Sequence, residues 1–184
     1  VINTDIMFWV DSLEDCINNS KTSTISLKLD FEKTYSIKSN AQKIQALIEI
    51  KSFCKNSTSI EKNIVIQDLI DQTLWMPKVS SSKNYEKMSW DELRSLASCK
   101  LFTVGGHSLY HDILSSFRDD KKLASDIKLS IELLEYNLNT PIVHYAYPEG
   151  QASHYNSTVI DILRKSGIIC SPSAINGINT GQHD

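Results

Sequence analysis

Apolar and polar residues alternate through "TISLKLDF", with Ile25, Leu27, Leu29 and Phe31 on one side and Ser26, Lys28 and Asp30 on the other. A period of two predicts a half-buried strand, continued as a small hairpin through Tyr35 and Ile37. On both flanks the period lengthens. Phe8, Trp9, Leu13 and Cys16 recur at near-helical spacing, which predicts an amphipathic helix after a short opening connection. Residues 39–55 read as a second helix, capped by Ser39 or Asn40, and "IVIQDLIDQTLW" (64–75) as a third. Pro77 and the serines that follow it mark a loop. Residues 1–87 therefore carry apolar faces and charges, with no chemical constellation, and read as packing structure.

The second half is organised differently. Ser89 and Glu92 form a capping box that opens a short helix in "MSWDELRSLAS". The strand-like run "KLFTVGG" (100–106) follows. A long helix is predicted over about 119–137, where Leu123, Ile127, Ser130, Ile131, Leu134 and Leu138 repeat on one face. "PIVHYAYPEG" (141–150) reads as a second strand, entered through Pro141 and ended by Pro148 and Gly150. "NSTVIDILRKSG" (156–167) is a helix closed by Gly167, and "IICSPSA" (168–174) a third strand. Strand, helix, strand, helix, strand is the α/β pattern. It predicts parallel strands with functional groups at their carboxyl ends.

Composition narrows the partners. The 19 Lys and Arg against 22 Asp and Glu leave a net charge of −3, which argues against nucleic acid or an anionic membrane surface. A neutral glycan remains compatible. No apolar run approaches the roughly 20 residues needed to span a bilayer. Cys16, Cys54, Cys99 and Cys170 are scattered without a C-x-x-C pair and read as small buried residues of a reducing compartment. Disulfides are the weaker alternative. A cytoplasmic or membrane-associated location is expected. No signal peptide is expected from the residues given. The chain opens on Val1 and stops at "NTGQHD", which predicts a fragment at both ends.

Candidate chemistry sits in "GGHSLYHDILS", where His107 and His111 stand four apart just after a strand and two glycines. At that spacing on a helical turn two imidazoles share a face and can reach one cation. The zinc-peptidase motif H-E-x-x-H has Glu where this chain has Ser108, so that chemistry is disfavoured. On spacing alone, a metal site and two unrelated imidazoles both remain open. His144, His154 and His183 are isolated and read as ordinary surface or satisfied core residues. The second candidate is the bend in "YAYPEGQ", some 35 residues on and expected at the same rim, where Pro148 and Gly150 impose an unusual turn whose amides can face an oxyanion.

Taken together, the two stretches resemble the polysaccharide deacetylase family, the NodB-homology domain of carbohydrate esterase family 4. His107-Ser108-Leu109-Tyr110-His111 matches its H-[ST]-x-x-H motif, and Pro148-Glu149-Gly150 matches its Pro-x-Gly turn. "MSWDELRSLAS" before the histidines, "DILSS" after them and "LRKSGIICSPSAINGINTG" also fit, so the resemblance covers about 88–181. "INTDIMFWVDSLEDCI" is similar to an insertion in members linked to O-antigen and surface polysaccharide.

The resemblance implies a distorted (β/α) barrel, here a single partial domain over 1–184, incomplete at both ends. Residues 1–87 would be a mostly helical insertion with a hairpin, and 88–184 the motif-bearing part. It implies a metal-dependent hydrolase that removes N- or O-acetyl groups from a polysaccharide or glycan precursor. His107 and His111 would be ligands of Zn2+ or another divalent transition metal, and the backbone amide of Glu149 the oxyanion donor, set by Pro148 and Gly150. Ser108 and Tyr147 would line the site.

Three departures stand out. The Asp-Asp pair of the family's first motif, source of the base and the third ligand, is missing. Asp30 stands alone and does not replace it, so the third ligand is expected upstream of Val1. The family's arginine falls at Ala146, and the late histidine motif is expected beyond Asp184, with His183 a poor substitute. The fragment itself is expected to be inactive. The alternative is a non-catalytic carbohydrate-binding module on the same scaffold.

Overall fold

The computed structural model describes residue 2, residues 4–30 and residues 32–178, apart from the side chain of Ser81. Phe31 and His183 lie outside the described residues. The chain divides into two compact units, Val1–Leu93 and Arg94–Asp184.

The first unit contains helix α1 (Trp9–Asn18), hairpin strands β1 (Thr24–Lys28) and β2 (Glu32–Ser36), and helices α2 (Asn40–Lys55) and α3 (Ser59–Thr73). Each buries the face its period announced. Trp9, Leu13, Cys16 and Ile17 line the inner side of α1, and Ala46, Ile50 and Cys54 that of α2. In the antiparallel hairpin Ile25 faces Tyr35 across the strands, and both are buried with Leu27 while Thr24, Ser26 and Lys28 are exposed. These side chains form one apolar cluster. Full burial of each Leu or Ile there stabilises by roughly 1.5–3 kcal/mol.

Ser39 and Thr58 cap α2 and α3, each in a reciprocal box with Gln42 or Glu61. The Thr58 box explains why α3 begins at Ser59, five residues before the predicted run. Gln72 on α3 fastens the edge of β1, accepting from Ser26 N at 2.7 Å and donating to Ser26 O at 2.6 Å. Residues 79–81 and 83–85 are single 3-10 turns inside the predicted loop. The capping box of Ser89 and Glu92 opens α4 (Trp90–Ser98), within which the boundary between the units falls.

The second unit is built on α5 (Asp120–Leu138) and α6 (Ser157–Lys165). Asp119 caps α5 by accepting from Lys121 N and Lys122 N, and Asn156 caps α6 by accepting from Val159 N. Three extended segments run parallel in sequence order, Gly106 paired with Tyr145 and His144 with Cys170. Gly106 N donates to His144 O at 3.0 Å, Ala146 N to Gly106 O at 2.9 Å, and Tyr145 N to Cys170 O at 3.0 Å.

The βαβαβ order is present, but the pairing is far shorter than the predicted strands. Residues 100–102 are spent on a turn, closed by Phe102 N donating to Cys99 O, and Leu101 and Phe102 are exposed. The burial expected of the cysteines holds for Cys16 and Cys54, whose thiols it pushes up to about 11. It fails for Cys170, which is exposed, and Cys99 is only half-buried; all four are free thiols. Among the described residues no helix is long and apolar enough to cross a membrane.

Candidate functional site

The two glycines before His107 allow close approach of neighbouring chain. A Cβ on Gly105 would stand 2.8 Å from His144 O, and one on Gly106 would stand 2.5 Å from the Tyr145 ring. From there the backbone bends sharply. Ser108 and His111 both take φ of +59°, in the left-handed region that costs non-glycine residues on the order of 1 kcal/mol. The helical turn expected for 107–111 is therefore replaced by a strained loop. The outcome for the rings is the same: those of His107 and His111 meet edge to face, centroids 4.7 Å apart at 69°.

His107 Nδ1 lies 2.9 Å from Ala146 O. A carbonyl oxygen only accepts, so Nδ1 carries the hydrogen and the lone pair of the neutral ring sits on Nε2. His107 is exposed and His111 half-buried. Beneath them, Ser108 N donates to the Tyr145 hydroxyl at 2.7 Å. Leu109 N donates to the Asp126 carboxylate, at 3.3 and 3.4 Å to its two oxygens.

Asp126 is 7% exposed. Burial pushes its carboxyl up to about 6, the Leu109 amide opposes this, and the charge of Asp112 adds to it. Tyr145 is fully buried and pushed up to about 12 by that burial, against hydrogen bonding from Ser130 and the Ser108 amide. Ser108 Oγ is itself buried and finds no hydrogen-bond partner among the described residues.

The second bend repeats the left-handed conformation, with φ of +60° at Glu149 and +63° at Gly150. A Cβ on Gly150 would stand 2.7 Å from Ala174 N, which donates to Gly150 O at 2.9 Å. Pro148 is buried just ahead of this bend. Tyr147 is buried and stacks on Tyr155, centroids 4.0 Å apart at 12°. The loop after this bend is tied to the segment after His111, since Ser115 N donates to His154 O at 3.2 Å and Ser115 Oγ to Ser153 O at 2.6 Å. His154 Nδ1 accepts from Gln151 N at 3.3 Å, a satisfied loop histidine. His144 is half-buried within the bridge to Cys170.

The arrangement offers two imidazoles to a cation, one held in the tautomer that leaves Nε2 free to ligate. The tie from Nδ1 to a carbonyl is the usual outer support of a ligating histidine. Among the described residues no group of three or more His, Cys, Asp or Glu could hold a metal ion, so they do not complete a coordination set by themselves. Sequence reading missed Asp126, Tyr145 and Tyr155. For Asp126 a signal existed: it falls in phase with Leu123, Ile127 and Ser130 on the buried face of α5, where a lone carboxylate calls for a reason.

The family model for polysaccharide deacetylase matches residues 55–170. The chain belongs to the polysaccharide deacetylase family. The match takes in both histidines and the Pro-Glu-Gly bend, and it reaches back through α3, well before residue 88 where the resemblance in the sequence becomes evident. No curated protein and no solved structure gives a significant match. Membership in the polysaccharide deacetylase family implies a carbohydrate deacetylase, a hydrolase of a family that is generally metal-dependent.

Proposed function

We propose that this polysaccharide deacetylase chain is the motif-bearing part of a metal-dependent hydrolase that removes N- or O-acetyl groups from a polysaccharide or glycan precursor, on a distorted (β/α) barrel. The observation that carries the reading is the His107–His111 contact, with His107 Nδ1 anchored to Ala146 O three residues before Glu149. His107, through Nε2, and His111 would hold Zn2+ or a similar divalent ion. When bound, such an ion polarises the acyl carbonyl and lowers the pKa of a bound water towards ~7.

The chain's own contribution is positional. The bend formed by Pro148, Glu149 and Gly150 directs the Glu149 amide as a donor to the carbonyl oxygen as it gains charge. Tyr147, stacked on Tyr155, would line the site. Water adds to the acetyl carbon, the C–N or C–O bond breaks, and the leaving amine or hydroxyl takes a proton. The third ligand and the base would be an Asp pair that the described residues do not supply, and we assign the branch to enzymes of O-antigen and surface polysaccharide.

Zinc uptake by the 184-residue chain should be lost in His107→Ala. Acetate should be released from an N-acetylated oligosaccharide once a segment carrying that Asp pair is joined to it. Absence of acetate release with zinc present would sink the catalytic reading. The lack of a three-ligand group among the described residues would then favour a carbohydrate-binding module, detected as glycan retention without hydrolysis.

A further inference from the structure

The His107–His111 pair has no helix to hold it. Ser108 and His111 sit in the left-handed region, and strained non-glycine residues persist only where their surroundings over-determine them. We propose that Asp126 and Tyr145 are positioning residues, clamping the backbone of the 107–111 turn and thereby fixing how the two imidazoles present themselves. The inference rests on the deacetylase reading, in which those imidazoles are ligands.

Two successive amides of the turn point inward and are met by side chains from separate parts of the unit. Ser108 N finds the hydroxyl of Tyr145, from the middle extended segment. Leu109 N finds the carboxylate of Asp126, from α5. A third fastening comes from Ala146 O to the His107 ring.

Neither clamp residue is free to drift. The Tyr145 ring is fully buried and lies against Gly106, where even a methyl would stand at 2.5 Å. Asp126 is set by the helix phase that buries Leu123, Ile127 and Ser130. Removing either acceptor strands a shielded N–H, which costs more than the bond contributes. The turn then gains by relaxing its positive φ values, and the rings lose their shared edge.

What the turn requires at position 126 is an acceptor rather than a charge. Asn offers a carbonyl oxygen of the same reach, whereas Ala offers none. This separates positioning from bulk stability, because Asp126→Asn conserves shape and acceptor together.

The test uses the 184-residue chain, with Zn2+ alone as the probe. Amide hydrogen exchange at Ser108 and Leu109 is followed without metal, and zinc affinity by competition with a chromophoric chelator. In Asp126→Ala, exchange at Leu109 should accelerate at least about tenfold and zinc affinity should fall roughly 10–100-fold, the usual loss when an outer support of a ligand is removed. Asp126→Asn should restore both.

Unchanged Leu109 protection and zinc affinity in a folded Asp126→Ala would overturn the clamp. Should that variant fail to fold, Tyr145→Phe gives the same decision at Ser108, faster exchange and weaker zinc supporting the proposal and no change refuting it. Failure of the deacetylase reading looks different. Zinc uptake would then be indifferent to His107→Ala, and the clamp would stand or fall on exchange alone.

Discussion

Polar groups are buried in both units, but they are set to different tasks. In the first, Asp15 accepts from Trp75 Nε1 at 2.8 Å, and Thr73 donates to Leu69 O at 2.6 Å. These bonds join or finish framework elements around an aliphatic cluster. In the second, Asp126 and Tyr145 reach past the framework to hold the amides of a bent loop with an exposed histidine. Backbone strain follows the same division. Among the described non-glycine residues, Leu74 alone in the first unit has a positive φ, against Ser108, His111, Asn139 and Glu149 in the second. Asn139 ends a helix, while the other three lie in the two bends proposed to carry the chemistry. The contrast separates interactions that make a unit cohere from interactions that hold a loop in a costly shape.

The largest expected effect strikes cohesion. Leu69 is fully buried in the apolar cluster, so Leu69→Ala removes a packed side chain and leaves a cavity. A loss of about 2–5 kcal/mol is expected, read from urea unfolding. A loss below ~1 kcal/mol would mean that the cluster does not carry the first unit, and the contrast would dissolve.

Next comes the cost of the clamp itself. Asp126 has its carboxyl pushed from 3.8 up to about 6, so the folded chain binds a proton there over a range in which the unfolded chain has lost it. Stability from this group is therefore full below about pH 4 and is lost as pH rises through 6. A shift of about two units corresponds to roughly 3 kcal/mol. The groups that bear on it are Asp112, Tyr145 and the Leu109 amide. Asp126→Asn should flatten this part of the pH profile and be the more stable protein at pH 7.5. If urea unfolding at pH 4 and 7.5 gave the same wild-type-to-variant difference, the carboxylate would not be the strained member of the pair.

These two residues also mark what the sequence makes legible. Leu69 lies on a periodic apolar face, and so do the buried residues of α1, α2, α5 and the hairpin, because burial imposes the period of the element on the residue pattern. The start of α2 was readable from Ser39 and the close of α6 from Gly167, which takes φ of +84°, for an equally local reason. The extended segments were overstated. An apolar run does not reveal how many of its residues find a partner, and among the described residues the three segments meet through only two bridges, Gly106 with Tyr145 and His144 with Cys170.

At the site, His107, His111 and the Pro148–Gly150 bend stood out because metal ligation and tight turns restrict residue type. Asp126 and Tyr145 act on backbone amides 17 and 37 residues away, and an amide has no side-chain identity to betray the contact. Only the charge inside an apolar stripe hinted at it.

The smallest effect refines the comparison from the side where the units should agree. A helix cap is a local device: Ser39 accepts from Gln42 N at 3.3 Å in the first unit, and Asn156 accepts from Val159 N at 3.0 Å in the second. Each satisfies one amide that the helix start leaves unpaired, whatever the unit does elsewhere. Ser39→Ala and Asn156→Ala should therefore each cost about 1 kcal/mol in urea unfolding. Ser39 also has the reciprocal bond from its own N–H to Gln42, which survives the substitution and should keep its loss at the lower end. A much larger loss for Asn156→Ala would show that α6 is held by its cap more than by Val159 and Leu163, the two side chains it buries. The second unit would then depend on point fastenings in its helices as well as in its bends.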